Sequence, residues 1–170
     1  MFPKYHPDFI TVTCKDHYFL LDDDLKKDVV IDSLRFLVRS ARVTVFGFVI
    51  MSNHFHLIWQ MLGSNEPGDV QRDFLKYTAH ELLRILRNEN NPLLPKLVVD
   101  KADRKNQVWQ RRPLRIPLWS DWVFRQKLNY IHMNPVNARL CEYPEEYKYS
   151  SASFYLWGEQ NWDFLTDAGW

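Results

Sequence analysis

Cysteine is almost absent from the chain: Cys14 and Cys141 are the 2 present among 170 residues. They stand far apart and without a CxxC spacing, which excludes a disulfide framework and a cysteine-built metal site. Long apolar runs are absent as well. No stretch reaches the roughly 18 residues of a membrane-crossing helix. The opening run Met1-Phe-Pro-Lys-Tyr-His-Pro-Asp8 has no apolar segment of the signal-peptide kind. The expectation is a cytoplasmic protein with no membrane partner. An excess of either charge is missing too, since 22 Lys and Arg meet 21 Asp and Glu for a formal +1. This argues against a protein that coats duplex DNA by bulk electrostatics, though not against a local basic groove. There is no internal repeat and no linker-like stretch, so a single domain spanning 1–170 is expected, with a core at about 8–140 and a tail at about 141–170.

Apolar and aromatic residues are plentiful. The hydrophobic fraction is 46%, which excludes disorder, and aromatics make up 15%. Such rings serve a dense core or stack nucleic-acid bases. Phe9-Ile-Thr-Val-Thr-Cys14 reads as a first strand. Asp22-Asp-Asp24 opens a helix whose apolar spacing runs to Ala41. Val43-Thr-Val-Phe-Gly-Phe-Val-Ile50 and Phe55-His-Leu-Ile-Trp59 form two strands around a Ser52-Asn53 turn. The first of these is apolar on both faces, which predicts a central, covered strand. A second helix carries Val70, Phe74, Tyr77/Thr78, Leu82 and Ile85 on its buried stripe. Residues 88–96 read as a loop, and Val108-Trp-Gln110 and Leu114-Arg-Ile116 as short strands. A third helix starts at an Ser120 N-cap and is expected to stop near Pro135. The Tyr- and Ser-rich tail is expected to wrap the surface. This order predicts an α+β fold, an antiparallel sheet of about four or five strands with helices packed on it.

Two short runs carry chemistry. His54 and His56 are two apart on a strand, so their imidazoles project to one side, where a single divalent cation could bridge them. Tyr130 and Asn134 are i and i+4 on the third helix and share a face. The Asn134 carbonyl is a hard oxygen donor suited to Mg²⁺ or Mn²⁺, and the phenol would lie one turn away. His132 points off that face and reads as structural. A basic segment, residues 101–115, holds Lys101, Arg104, Lys105, Arg111, Arg112 and Arg115 against Asp103 alone.

Taken together these runs resemble a known family. Met51-Ser-Asn-His-Phe-His-Leu57 resembles the His-hydrophobic-His motif of the single-tyrosine HUH transposases. Tyr130-Ile-His-Met-Asn-Pro-Val136 is similar to the nucleophile helix of their REP-associated tyrosine transposase branch. Trp109-Gln-Arg-Arg112, Phe74-Leu-Lys-Tyr-Thr78 and Tyr147-Lys-Tyr-Ser-Ser151 follow in the family's order, and the resemblance spans about residues 8–155. Where relatives tend to carry an aromatic, this chain has Arg112-Pro113, a departure that touches a local DNA contact rather than the chemistry. The resemblance implies a ferredoxin-like core, His54, His56 and Asn134 as ligands of Mg²⁺ or Mn²⁺, and Tyr130 as nucleophile. It implies cleavage of single-stranded or hairpin DNA through a 5′-phosphotyrosine intermediate, with phosphates met by Lys76, Arg111, Arg112 and Arg115. The chain could act as a monomer or homodimer, with Tyr130 serving its own metal site or a partner's. Two other classes fit the same residues: a DNA-binding protein of this fold without cleavage, and a metal-dependent phosphodiester hydrolase in which water attacks.

Overall fold

In the computed structural model the described residues are 5–101 and 104–169, the side chains of 100, 101 and 104 excepted. Residues 1–4 of the signal-peptide reading, and the Lys101, Asp103 and Arg104 side chains of the basic segment, lie outside them. Strand β1 (Asp8–Thr13) leads through a 3-10 turn at Lys15–His17 to helix α1 (Asp24–Arg39). The Asp23 carboxylate caps α1 by accepting the Lys26 N–H at 2.9 Å. Strands β2 (Val43–Ile50) and β3 (His54–Met61) form the expected hairpin, and α2 (Pro67–Asn88) follows with proline in its first turn. The predicted loop at 88–96 ends in a short helical turn, α3 (Leu94–Leu97). A two-stranded ribbon, β4 (Val98–Lys101) and β5 (Arg104–Asn106), precedes β6 (Leu114–Pro117). Helix α4 (Asp121–Asn137) and the short α5 (Ala152–Trp157) complete the described chain. No helix among the described residues is long and apolar enough to cross a membrane.

The main sheet has the order β2-β3-β1-β6, with every neighbouring pair antiparallel. Strands β1 and β2 flank β3 on either side, the split β-α-β arrangement of a ferredoxin-like α+β fold. Alternation along the strands builds two cores. Ile10, Val12, Phe55, Leu57 and Trp59 face α1 and α2, while Phe9, Val49, Met51 and Ile58 face Phe124, Leu128 and Ile131 of α4. Fully burying an aromatic or aliphatic side chain of this size stabilises by about 1.5–3 kcal/mol, so these three α4 residues are enough to seat the helix on the sheet.

Three expectations fail here, each for a physical reason. Strand β2 lies at the edge of the sheet, not its centre. Burial of both faces reports the helices above and below a strand, not its hydrogen-bonding neighbours. The tail hydrogen-bonds the open side of β2: Ile50 N–H donates to Tyr149 O at 2.9 Å, Ser151 N–H to Phe48 O at 3.0 Å and Thr166 N–H to Val45 O at 2.9 Å. That tail does not merely wrap the surface. Tyr149, Ala152, Trp162 and Phe164 are buried, and Trp162 and Phe164 pack on Phe48 at ring distances of 5.4 and 5.6 Å. Finally, α4 does not stop near Pro135 but runs through it to Asn137. The proline lacks only the N–H that would have met Ile131 O, one bond lost within the last turn.

Gly47 sets how closely α4 sits. A Cβ built there would lie 2.5 Å from Leu128 Cδ1, and the sheet register shifts at the same point, between Val45 and Gly47. We expect Gly47→Val to destabilise the protein by about 1–3 kcal/mol through overpacking, measured by urea unfolding. An unchanged midpoint would show that Leu128 yields freely.

Candidate active site

Strand β3 begins at His54, directly after the two-residue turn, and Met51 N–H donates to His54 O at 2.8 Å to close it. His54 lies opposite Thr13, and His56 lies opposite Thr11 on β1 and Val49 on β2. Both imidazoles therefore stand on the α4 side, with ring centroids 4.9 Å apart. His56 is buried and stacks on Phe9 at 5.4 Å and 19°. Its Nδ1 is 2.8 Å from Thr11 Oγ1, and His54 Nδ1 is 2.7 Å from Asn53 Oδ1. The Asn53 oxygen can only accept, so His54 carries its proton on Nδ1 and keeps the Nε2 lone pair. With the Thr11 hydroxyl accepting in the same way, His56 presents Nε2 too.

Helix α4 brings the other half. Tyr130 meets His56 edge-on at 5.1 Å between ring centroids and Phe9 at 5.9 Å, all within one chain. The Asn134 amide is 3.2 Å from His56 Nε2 and lies near enough to His54 to raise the pKa of that ring. Its nitrogen and oxygen exchange by a half-turn of the side chain, and in the turned state Oδ1 faces the imidazoles. The four residues Tyr130, Asn134, His54 and His56 thus meet at one place. His132 does not join them: it is buried on the far side of the helix with Nε2 2.9 Å from Ser151 Oγ.

Burial holds the His54 pKa below the ordinary imidazole range, the Asn134 amide opposing it in part. The His56 value is pushed down to about 3 by burial, with like charge from His54 and Lys127 adding to it. Both rings are therefore neutral at pH 7, the form that binds metal. Among the described residues no cluster of three His, Cys, Asp or Glu could hold an ion. A divalent cation here would rely on two imidazole nitrogens plus the Asn134 oxygen, a mixed nitrogen and hard-oxygen set that leaves open positions. The donor chemistry and the held Nδ1 atoms fit such an ion.

Solved structures carry the same arrangement of strands and helices. The structure of a REP-associated tyrosine transposase bound to a REP hairpin matches with a TM-score of 0.65 at 17% identity, over 89% of this chain and 82% of that one. A Deinococcus radiodurans protein described as a putative transposase matches with a TM-score of 0.51 at 15% identity, over 76% of this chain and 91% of that one. The fold is that of these transposases. No protein-family model matches the sequence, and no curated protein matches it.

On this transposase fold three of the four expected phosphate contacts, Lys76, Arg111 and Arg115, lie on the face of the sheet opposite the histidines. Lys76 and Arg111 line a cleft of about 730 Å³ between α2 and residues 106–111, on the α2 side of the sheet. Arg112 is exposed at a turn with φ of 56°. Arg115, opposite Ile10 and so on the α2 side, pairs with the buried Asp8 at 2.8 Å. Three residues beside the histidine pair escaped the sequence reading. Asn53 was adjacent in sequence and legible. Thr11 required the β1–β3 register. Lys127, three residues before Tyr130, had a helical spacing that could have revealed it.

Tyr147 offers an internal control for the nucleophile. Its hydroxyl donates to Ile50 O at 2.9 Å, and burial pushes its pKa up to about 12. Tyr147→Phe should cost about 0.5–1.5 kcal/mol of stability and leave any tyrosine-dependent chemistry intact. Chemical denaturation and a DNA cleavage assay run side by side check both halves.

Proposed function

We propose that the chain is a metal-dependent single-strand DNA endonuclease and transesterase, transposase-like, with Tyr130 as its nucleophile. The observation that carries the reading is Tyr130 packed on His56, with Asn134 bridging toward both histidines from the next turn of the same helix. The fold shared with a transposase bound to a REP hairpin supports single-stranded or hairpin DNA as the substrate.

Tyr130 Oη attacks the scissile phosphorus. The Oη–P bond forms and the P–O3′ bond breaks, the electron pair leaving on O3′. The phenolic proton passes to solvent and O3′ takes one from solvent, giving a 5′-phosphotyrosine and a free 3′-OH. Attack by another 3′-OH reverses these steps and joins strands without ATP. Mg²⁺ or Mn²⁺ bound by His54, His56 and Asn134 would polarise the phosphate and draw off the charge that develops on it. Phe9 and Thr11 fix the His56 ring, and Asn53 fixes His54. Trp119 and Trp122, 71% and 70% exposed around the start of α4, offer faces on which unpaired bases can stack.

The test is incubation of the protein and Mn²⁺ with labelled hairpin oligonucleotides bearing randomised single-stranded flanks, followed by a denaturing gel. A protein–DNA adduct is expected. Cleavage without adduct would replace this reading by a water-attack hydrolase, and binding without cleavage by a DNA-binding protein.

A further inference from the structure

We propose that Lys127 is a catalytic residue of this same site, its ammonium meeting a non-bridging oxygen of the scissile phosphate; the inference rests on the function proposed above. Lys127 is half-buried on α4, one turn before Tyr130. Its Nζ stands 5.0 Å from the centroid of Phe9 and 5.7 Å from that of Tyr130, the two rings that contact His56. It forms no ion pair among the described residues, whereas Arg35, Arg42, Arg72, Arg84 and Arg115 all do.

The charge balance of the site gives that position its meaning. The candidate metal donors are two neutral imidazoles and an amide, so no ligand carries negative charge. The charged groups that act on the two histidines are His17 on His54, and His54 and Lys127 on His56, and none is an acid. A cation beside such a site is repelled by a bound dication unless an anion lies between them. A DNA phosphate is that anion. Held there, it would place one oxygen toward Lys127 and the phosphorus toward Tyr130 Oη. The contribution of the lysine grows as the phosphate accumulates charge in the transition state.

The test compares wild type, Lys127→Met, Lys127→Gln and Lys127→Arg. Methionine and glutamine keep much of the aliphatic stem, and thermal unfolding establishes that each variant is folded. The rate of adduct formation on the randomised hairpin pool is expected to fall by about 10²-fold in the Met and Gln variants and to return within about tenfold in Lys127→Arg. A second readout needs neither metal nor cleavage. In EDTA, on a Tyr130→Phe background, fluorescence anisotropy follows single-stranded DNA affinity against salt. Lys127→Met should lower the slope of log K on log salt by about 0.7, the value for one phosphate contact on a single strand. A wild-type rate in Lys127→Met overturns this inference alone. So does a lowered rate with an unchanged salt slope and no recovery by arginine, which is the pattern of a packing role. Absence of adduct from the wild-type protein overturns the proposed function, and this inference with it.

Discussion

Tyr130→Phe is expected to abolish the covalent protein–DNA adduct completely while folding and DNA binding stay near wild type. The substitution removes one oxygen and keeps the ring that packs edge-on against His56 and Phe9. The residue is 45% exposed, and its hydroxyl has no hydrogen-bond partner among the described residues. Removal therefore orphans no buried group, and the change in stability should stay within about 0.5 kcal/mol. Base stacking and phosphate contacts do not use that oxygen, so affinity for single-stranded DNA should change less than about twofold. The measurement is a denaturing gel beside an anisotropy titration. An adduct that persists in the variant would move the nucleophile to another tyrosine. Tyr77 would then come first, because it is 55% exposed while the Tyr147 hydroxyl is engaged with Ile50 O.

The second large effect concerns the histidine pair. A metal acting as Lewis acid supplies several kcal/mol of transition-state stabilisation, each 1.36 kcal/mol being tenfold in rate. His54→Ala and His56→Ala should each slow adduct formation by about 10²–10³-fold, and EDTA should stop it in the wild type. The two variants differ in how cleanly they report. His56 is buried, stacked on Phe9 and bonded to Thr11, so its loss also leaves a cavity. His54 is only half-buried and is the better probe. Metal binding to the folded state raises its melting temperature by mass action. Mn²⁺ should therefore raise Tm in the wild type and not in His54→Ala, a readout independent of cleavage. If both variants form adduct at the wild-type rate, the ligands are misassigned.

The features legible in the sequence were local ones. A period of two aligned His54 with His56, a spacing of four aligned Tyr130 with Asn134, and β-branched runs around Ser52-Asn53 marked the hairpin. What escaped depends on distant pairing. Thr11 reaches His56 only because β1 and β3 share a register. Strand β2 read as central because helices bury both its faces, and its true neighbour on one side is a tail with neither strand nor helix periodicity. The basic segment told of charge but not of side. Arg115 alternates to the α2 face and meets Asp8, whose burial has no signature in a sequence otherwise balanced in charge.

Tyr130 and Asn134 ride on one rigid rod, one turn apart, and that rod is seated on the sheet through Leu128 against Gly47. Any displacement of the rod that withdraws the hydroxyl also withdraws the amide from the imidazoles. On the function proposed above, the grip on a cation and the reach of the nucleophile would thus be a single mechanical variable. A 5′ end attached to this tyrosine could not be carried off without loosening the ion that helped attach it, so strand handover and ion release would be geared together.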